Sequence, residues 1–121
     1  MLSFPANVRL YLANRATDGR KSFDGLAAVV ESEFEISPMS GDLFIFLNKR
    51  ATLVRMLFWD RDGFCLVSKR LEKGTFKRIR QQAQYINQVE IDVAELSMLL
   101  EGIEADNIRR NLRWKPPKKD L

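Results

Sequence analysis

The sequence predicts an α+β fold: a single domain with a small antiparallel sheet of about four strands and two to three helices. Three observations lead there. Residues 7–13 alternate apolar and polar side chains with the period of a strand. Three short segments rich in Phe, Ile, Val and Leu follow, separated by polar turns. Two further segments carry apolar residues at helical spacing, with start and stop signals at their ends.

In residues 7–13, Val8, Leu10 and Leu12 face one way, with Arg9 and Tyr11 on the other side. Residues 14–18 turn the chain, and Thr17 or Asp18 is expected to cap a helix. Phe23, Leu26, Ala27, Val30 and Phe34 then form one apolar helical face. Gly25 weakens this helix by about 1 kcal/mol relative to Ala, so packing must hold it. Ser37-Pro38 ends it and Ser40-Gly41 continues the turn.

Residues 42–47, 53–59 and 64–68 read as strands of an antiparallel meander. Asp60-Arg61-Asp62-Gly63 joins the last two, with Gly63 expected at a positive φ. Their near-continuous apolar runs require cover on both faces of the sheet, or a partner on one. Residues 79–90 are Gln-rich and give no clear assignment. Asp92 and Glu95 form a capping box for a helix with Leu96, Leu99, Leu100 and Ile103 on its apolar stripe. Gly102 is placed to end it, with Ile103 reaching back towards Met98. A third helix is expected over 105–114, stopped by Pro116-Pro117. The expected division is a body over 1–106 and a basic tail over 107–121.

A chain of 121 residues fits one domain, and 45% apolar content is ordinary for a globular one. There is no histidine, which removes most general-base designs and nearly all zinc sites. The lone Cys65 cannot form an internal disulfide; between Phe64 and Leu66 it reads as a buried structural thiol in a reducing compartment. Asp60 and Asp62 are a tight carboxylate pair, and a metal-dependent nuclease would need a third acid beside them. Turn chemistry explains both. Without a glycine-rich phosphate loop either, the expectation is a binding protein with no catalytic residues, no metal and no cofactor. No apolar run is long enough to cross a bilayer and the start does not read as a signal peptide, so the expected location is the cytoplasm.

Net charge is +4, unevenly spread. Lys69, Arg70, Lys73, Lys77, Arg78 and Arg80 form one basic block, and Arg109, Arg110, Arg113, Lys115, Lys118 and Lys119 a second. The rest of the chain carries 8 basic and 15 acidic residues. Such asymmetry points to an anionic partner, the alternative being a solvated surface with a basic tail. In the first block Leu71, Phe76 and Ile79 alternate with the cations, so apolar residues can anchor a segment whose charges face phosphates. Lys49 and Arg50 lie in a polar loop between strands. Arg20 and Lys21 are expected in the first turn of the first helix, where the dipole disfavours each by about 0.3–1 kcal/mol and a bound phosphate would be welcome. Neutralisation by Asp18 and Asp24 is the competing explanation. The candidate nucleic-acid-binding residues are therefore Arg20, Lys21, Lys49, Arg50, Lys69, Arg70, Lys73, Lys77, Arg78, Arg80, Arg109, Arg110 and Arg113. No motif for reading base sequence is present.

Several stretches resemble one family. They are Val8-Arg9-Leu10-Tyr11-Leu12-Ala13, Thr17-Asp18-Gly19-Arg20-Lys21-Ser22-Phe23-Asp24-Gly25-Leu26-Ala27 and Ser40-Gly41-Asp42-Leu43-Phe44-Ile45-Phe46. Trp59-Asp60-Arg61-Asp62-Gly63-Phe64, Lys69-Arg70-Leu71-Glu72-Lys73-Gly74-Thr75-Phe76 and Leu99-Leu100-Glu101-Gly102-Ile103 continue the likeness. Together they are similar to the accessory protein of the insertion sequence 66 family of bacterial transposable elements, often called TnpB or Orf-two. The likeness is collinear over roughly 7–104, with the tail beyond Asp106 outside it. Gly19 and Ser22 stand where that family usually has Met and Gly, and Asn14 where Gly is common. The resemblance implies a protein serving transposition beside a separate transposase, with no settled catalytic activity. DNA and that transposase are the partners it implies. Two functions remain open: an accessory subunit contacting DNA, or an adaptor that binds the transposase, with an exposed apolar patch expected around Phe44, Phe46, Phe58 and Trp59.

Overall fold

Leu43-Phe44-Ile45-Phe46-Leu47 offers no polar side chain to either side of its pleat, so as a strand it must be covered on both faces. That requirement organises the molecule. The computed structural model describes residues 7–79 and 82–102. Among these residues five strands form one sheet: β1 (Leu10–Ala13), β2 (Leu43–Leu47), β3 (Leu53–Asp60), β4 (Gly63–Arg70) and β5 (Gln88–Ile91), in the order β4-β3-β2-β1-β5. All five β2 side chains are buried. Residues 42–47, 53–59 and 64–68 do form the expected antiparallel meander, now β2, β3 and β4.

The sheet is mixed, not purely antiparallel. β1 and β2 run parallel, Leu10 opposite Leu43 and Leu12 opposite Ile45. A parallel pair needs a crossover, and the segment between them supplies a helical one. Helix α1 spans Phe23–Val29 and continues as a π-helical turn over Val30–Phe34, closed by Glu35 in the left-handed region. Leu26, Val30 and Phe34 bury against Ala13, Phe44, Phe46 and Leu57 on one sheet face. Phe34 stacks on Phe46 at 5.8 Å, and Phe44 on Tyr11 at 5.9 Å. Phe23 opens α1 and stays 42% exposed, so the apolar face begins at Leu26 instead.

The opposite face packs Leu10, Leu12, Leu43, Ile45, Leu47, Val54, Met56, Val89 and Ile91 beneath α2 (Val93–Glu101). Phe76 and Ile79, from the basic block, are buried in this same layer with Leu71 against it. The anchoring expected of that block is thus present, in a strap without regular secondary structure. The α2 capping box forms as read: Glu95 N–H donates to Asp92 at 2.7 Å, and Asp92 N–H to Glu95 at 3.1 Å. Such a cap is worth about 1 kcal/mol. Gly102 closes α2 at φ 77°, a backbone state that a Cβ would strain. The Ile103 contact and the 105–114 helix lie outside the described residues.

Three local expectations are corrected. The positive φ in the β3–β4 hairpin falls on Arg61, because Gly63 already pairs with Asp60 as the first residue of β4. Cys65 is only half-buried, since β4 is an edge strand. The apolar patch expected around Phe44 and Phe46 is absent: both are 0–1% exposed beneath α1, and Phe58 and Trp59 are half-buried. Among the described residues no helix is long and apolar enough to cross a membrane.

Candidate nucleic-acid interface

Sheet topology decides where the cations go. The C-terminal ends of β1, β2 and β4 and the N-terminal ends of β3 and β5 share one end of the sheet. The segments leaving that end carry Arg15, Arg20, Lys21, Lys49, Arg50, Arg70, Lys73, Lys77 and Arg78, against Asp18 and Glu72. The other end bears Asp42, Asp60, Asp62 and Asp92, with Arg9 and Arg61. Cations from three distant stretches are thus gathered at one pole.

Hydrogen bonds fix the loops that carry them. Asn48 Oδ1 accepts from the N–H groups of Thr52 and Leu53 at 2.9 and 3.0 Å, and its Nδ2 donates to Thr52 Oγ1 at 3.1 Å. This holds Lys49 and Arg50 at an exposed tip with Ala51 at positive φ. Leu71 N–H donates to Thr52 and Phe76 N–H to Ala51, which seats the 71–76 strap beside that tip. The 16–20 loop closes from the other side, Thr17 N–H donating to Leu47 at 2.9 Å. Gly19 permits the approach: a Cβ there would meet Leu53 Cδ2 at 3.3 Å and Asn48 Cβ at 3.5 Å. An open cleft of about 490 Å³ remains between the two loops, lined by residues 16–20 and 48–50.

Arg55 pins this arrangement from within the sheet, and nothing in the sequence reading singled it out. Its Nη1 donates to the carbonyls of Gly19 and Lys21 at 3.0 and 2.9 Å, and its Nε to Ser68 Oγ at 2.7 Å. The available signal was a charge between Val54 and Met56 in a strand whose neighbours are all apolar.

The candidate cations divide by what engages them. Lys49, Arg50 and Lys73 are exposed, and among the described residues no hydrogen bond or ion pair takes their side chains. Arg70 is exposed and pairs with Glu72 at 3.3 Å. Lys69 Nζ donates to the Leu100 carbonyl at 2.8 Å, capping α2, and is diverted from the pole. Arg78 is half-buried, its Nη1 donating to the carbonyls of Ala13 and Asn14 at 3.5 and 3.4 Å; burial pushes its guanidinium pKa down. Lys77 is half-buried with a partner of its own. Arg80, Arg109, Arg110 and Arg113 lie outside the described residues.

Arg20 and Lys21 are not in the first turn of α1. They precede its N-cap, Ser22, whose side chain makes no capping bond, so the expected dipole site for an anion is not built. Asp18 caps no helix but accepts from Arg20 three times, from its N–H at 2.9 Å, Nε at 3.1 Å and Nη2 at 2.9 Å. The neutralisation explanation therefore holds for Arg20. Hydrogen bonds from the Arg20 side chain and N–H, then the charges of Arg20 and Lys21, hold the Asp18 carboxyl at about 2. The folded value lies below the unfolded one of about 3.9, so this pair's stabilisation is complete above that pH and is lost as pH falls through about 2. NMR titration of Asp18 is expected to give a midpoint near 2, moving towards about 3.9 in Arg20→Ala. An unchanged midpoint would remove Arg20 as the cause. Among the described residues, no three His, Cys, Asp or Glu side chains converge to hold a metal ion.

Comparison with known proteins follows the same lines. A family model described as IS66 Orf2 like protein matches residues 8–110, past the motif likeness of roughly 7–104 and into the stretch beyond Asp106 that had been placed outside it. The Sinorhizobium fredii protein y4hO is 33% identical over 118 residues, covering 98% of each chain. A second protein of that organism, y4jC, is 29% identical over 120 residues with the same coverage. Both carry the name "uncharacterized protein". No solved structure matches the chain.

Proposed function

Since the chain belongs to the IS66 Orf2-like family, we propose that it is an accessory protein of transposition that contacts the DNA phosphate backbone through the basic pole of its sheet. The observation that carries this reading is the convergence, from three segments far apart in sequence, of exposed Lys21, Lys49, Arg50 and Lys73 with Arg20 and Arg70, whose surface pairs with Asp18 and Glu72 a phosphate must displace. Phosphate contact needs positive charge on a firm support and no base-reading motif, and it positions a protein without specifying sequence. The cleft between the 16–20 and 48–50 loops supplies a concave place for one phosphate run. The adaptor alternative loses two of the four residues of its expected apolar patch, because Phe44 and Phe46 are core residues while Phe58 and Trp59 are half-buried.

The test is binding of the purified protein to labelled duplex DNA across a salt series, comparing element ends with random sequence. With six phosphate contacts the log–log slope of affinity against salt is expected near −5. Similar affinity for both sequences would fit backbone contact alone. Absence of binding at about 50 mM salt would overturn the proposal and assign the same cations to an acidic surface of the transposase.

A further inference from the structure

We infer that the basic pole takes single-stranded DNA, with Tyr85 as the platform on which an unpaired base stacks; this rests on the nucleic-acid reading above and adds the strand state of the ligand. Tyr85 is 83% exposed, more than Phe23, Met39 or Val93, the other large apolar side chains left in water among the described residues. Its ring forgoes the burial that normally disposes of aromatic surface.

The segment presenting it is firmly held. Asn14 Nδ2 donates to the carbonyls of Gln82, Ala83 and Ile86 at 3.3, 3.0 and 2.9 Å. Its Oδ1 accepts from Gln82 N–H at 3.1 Å, and its own N–H donates to Asn87 at 3.0 Å. Ile86 N–H closes a turn on Ala83 at 2.9 Å, with Gln84 and Tyr85 at the tip, while the Ile86 side chain packs against the core. One asparagine thus fixes a turn whose outermost group is a bare aromatic ring.

Two guanidinium groups engage the residues that hold this turn. Arg78 donates to the Asn14 carbonyl at 3.4 Å, and Arg15 Nη2 donates to Asn87 Oδ1 at 2.5 Å while pairing with Glu33 at 3.4 Å. A nucleotide in a single strand offers an open base face and a phosphate together, which this pairing of ring and charge matches. In a duplex the base faces are already stacked on one another, leaving the ring only sugar and phosphate to meet.

The experiment measures binding of the full chain, wild type, Tyr85→Ala and Tyr85→Phe, to an oligodeoxythymidine of about 20 nucleotides and to duplex DNA. Tyr85→Ala is expected to weaken single-strand binding about tenfold, with duplex affinity and both salt slopes unchanged, because no charge is removed. Tyr85→Phe keeps the ring and is expected to bind as wild type. A side chain this exposed can be truncated without loss of the fold, and an unchanged thermal midpoint verifies that. Equal binding by Tyr85→Ala and wild type, equal losses on both DNA forms, or duplex binding alone would overturn the inference and leave backbone contact standing. Wild-type protein that binds neither DNA overturns the underlying reading itself.

Discussion

Replacing Lys49, Arg50 and Lys73 together by Glu is expected to lower duplex DNA affinity by roughly 10²–10³-fold at about 0.1 M salt. Each phosphate contact releases about 0.9 of a counterion, close to a decade of affinity per contact at that salt, and three are removed. The salt slope should fall from about −5 to −2 or −3. These three are chosen because they are exposed and, among the described residues, unengaged, so their replacement disturbs no internal bond. The melting temperature serves as control and should stay near that of the wild type. Arg78 and Lys69 are poor substitutes: one supports the carbonyls of Ala13 and Asn14, the other caps α2 at Leu100, and changing either mixes binding with stability. Retained affinity and slope in the triple variant would remove the basic pole from any account of DNA contact.

Phe44→Ala is expected to cost about 3–5 kcal/mol of stability, a large share of the roughly 5–15 kcal/mol a domain of this size possesses. Phe44 is fully buried, stacked on Tyr11 and tilted against Phe34 at 6.1 Å, so its loss leaves a cavity between β2 and the π-helical turn. The thermal midpoint should drop by roughly 15–30 °C. Phe64→Ala provides the contrast, because that ring sits half-buried at the sheet edge and meets Trp59 edge-on at 5.0 Å. Its effect should be well under half as large. Equal losses for the two would mean that α1 does not seat on β2 as described.

The sequence disclosed much of the fold wherever side-chain pattern alone carries the information. The capping box of Asp92 and Glu95 is a local motif whose two bonds depend on nothing distant. The β2–β4 meander follows from short apolar runs separated by polar turns. Strand direction leaves no such trace, and the parallel pairing of β1 with β2 was missed although strand, helix and strand followed in the order a crossover requires. Strand β5 escaped because Gln88-Val89-Glu90-Ile91 offers only two apolar positions after a Gln-rich stretch. The π-helical turn is invisible to periodicity, since Val30 and Phe34 reach the core in either winding. Leu43 to Leu47 was read correctly as needing cover on both faces, yet its phenylalanines were also offered as a partner surface; only the packing of α1 decides between the two.

The site was legible as a list of cations and illegible as a place. The segments carrying Lys49, Arg50 and Lys73 share one end of the sheet because β3 and β4 pair in a register that sets Leu53 opposite Arg70. Asp18 followed by two cations fits a helix start and an Asx turn equally well, and the structure takes the turn. Asn14, which stations Tyr85, forms bonds with partners more than sixty residues away that no local pattern foretells.

The position of β1 bears on how the chain is made. It lies inside the sheet between β2 and β5, and its pairing with β5 joins the first to the last strand of the described residues. During synthesis β2, β3 and β4 can assemble as their hairpins emerge, whereas one edge of β1 stays unpaired until residues 88–91 leave the ribosome. Long-range closure of this kind slows folding and leaves a strand edge open to other chains in the meantime. Truncation before Gln88 would make that interval permanent, and such fragments should accumulate as aggregates rather than as soluble intermediates.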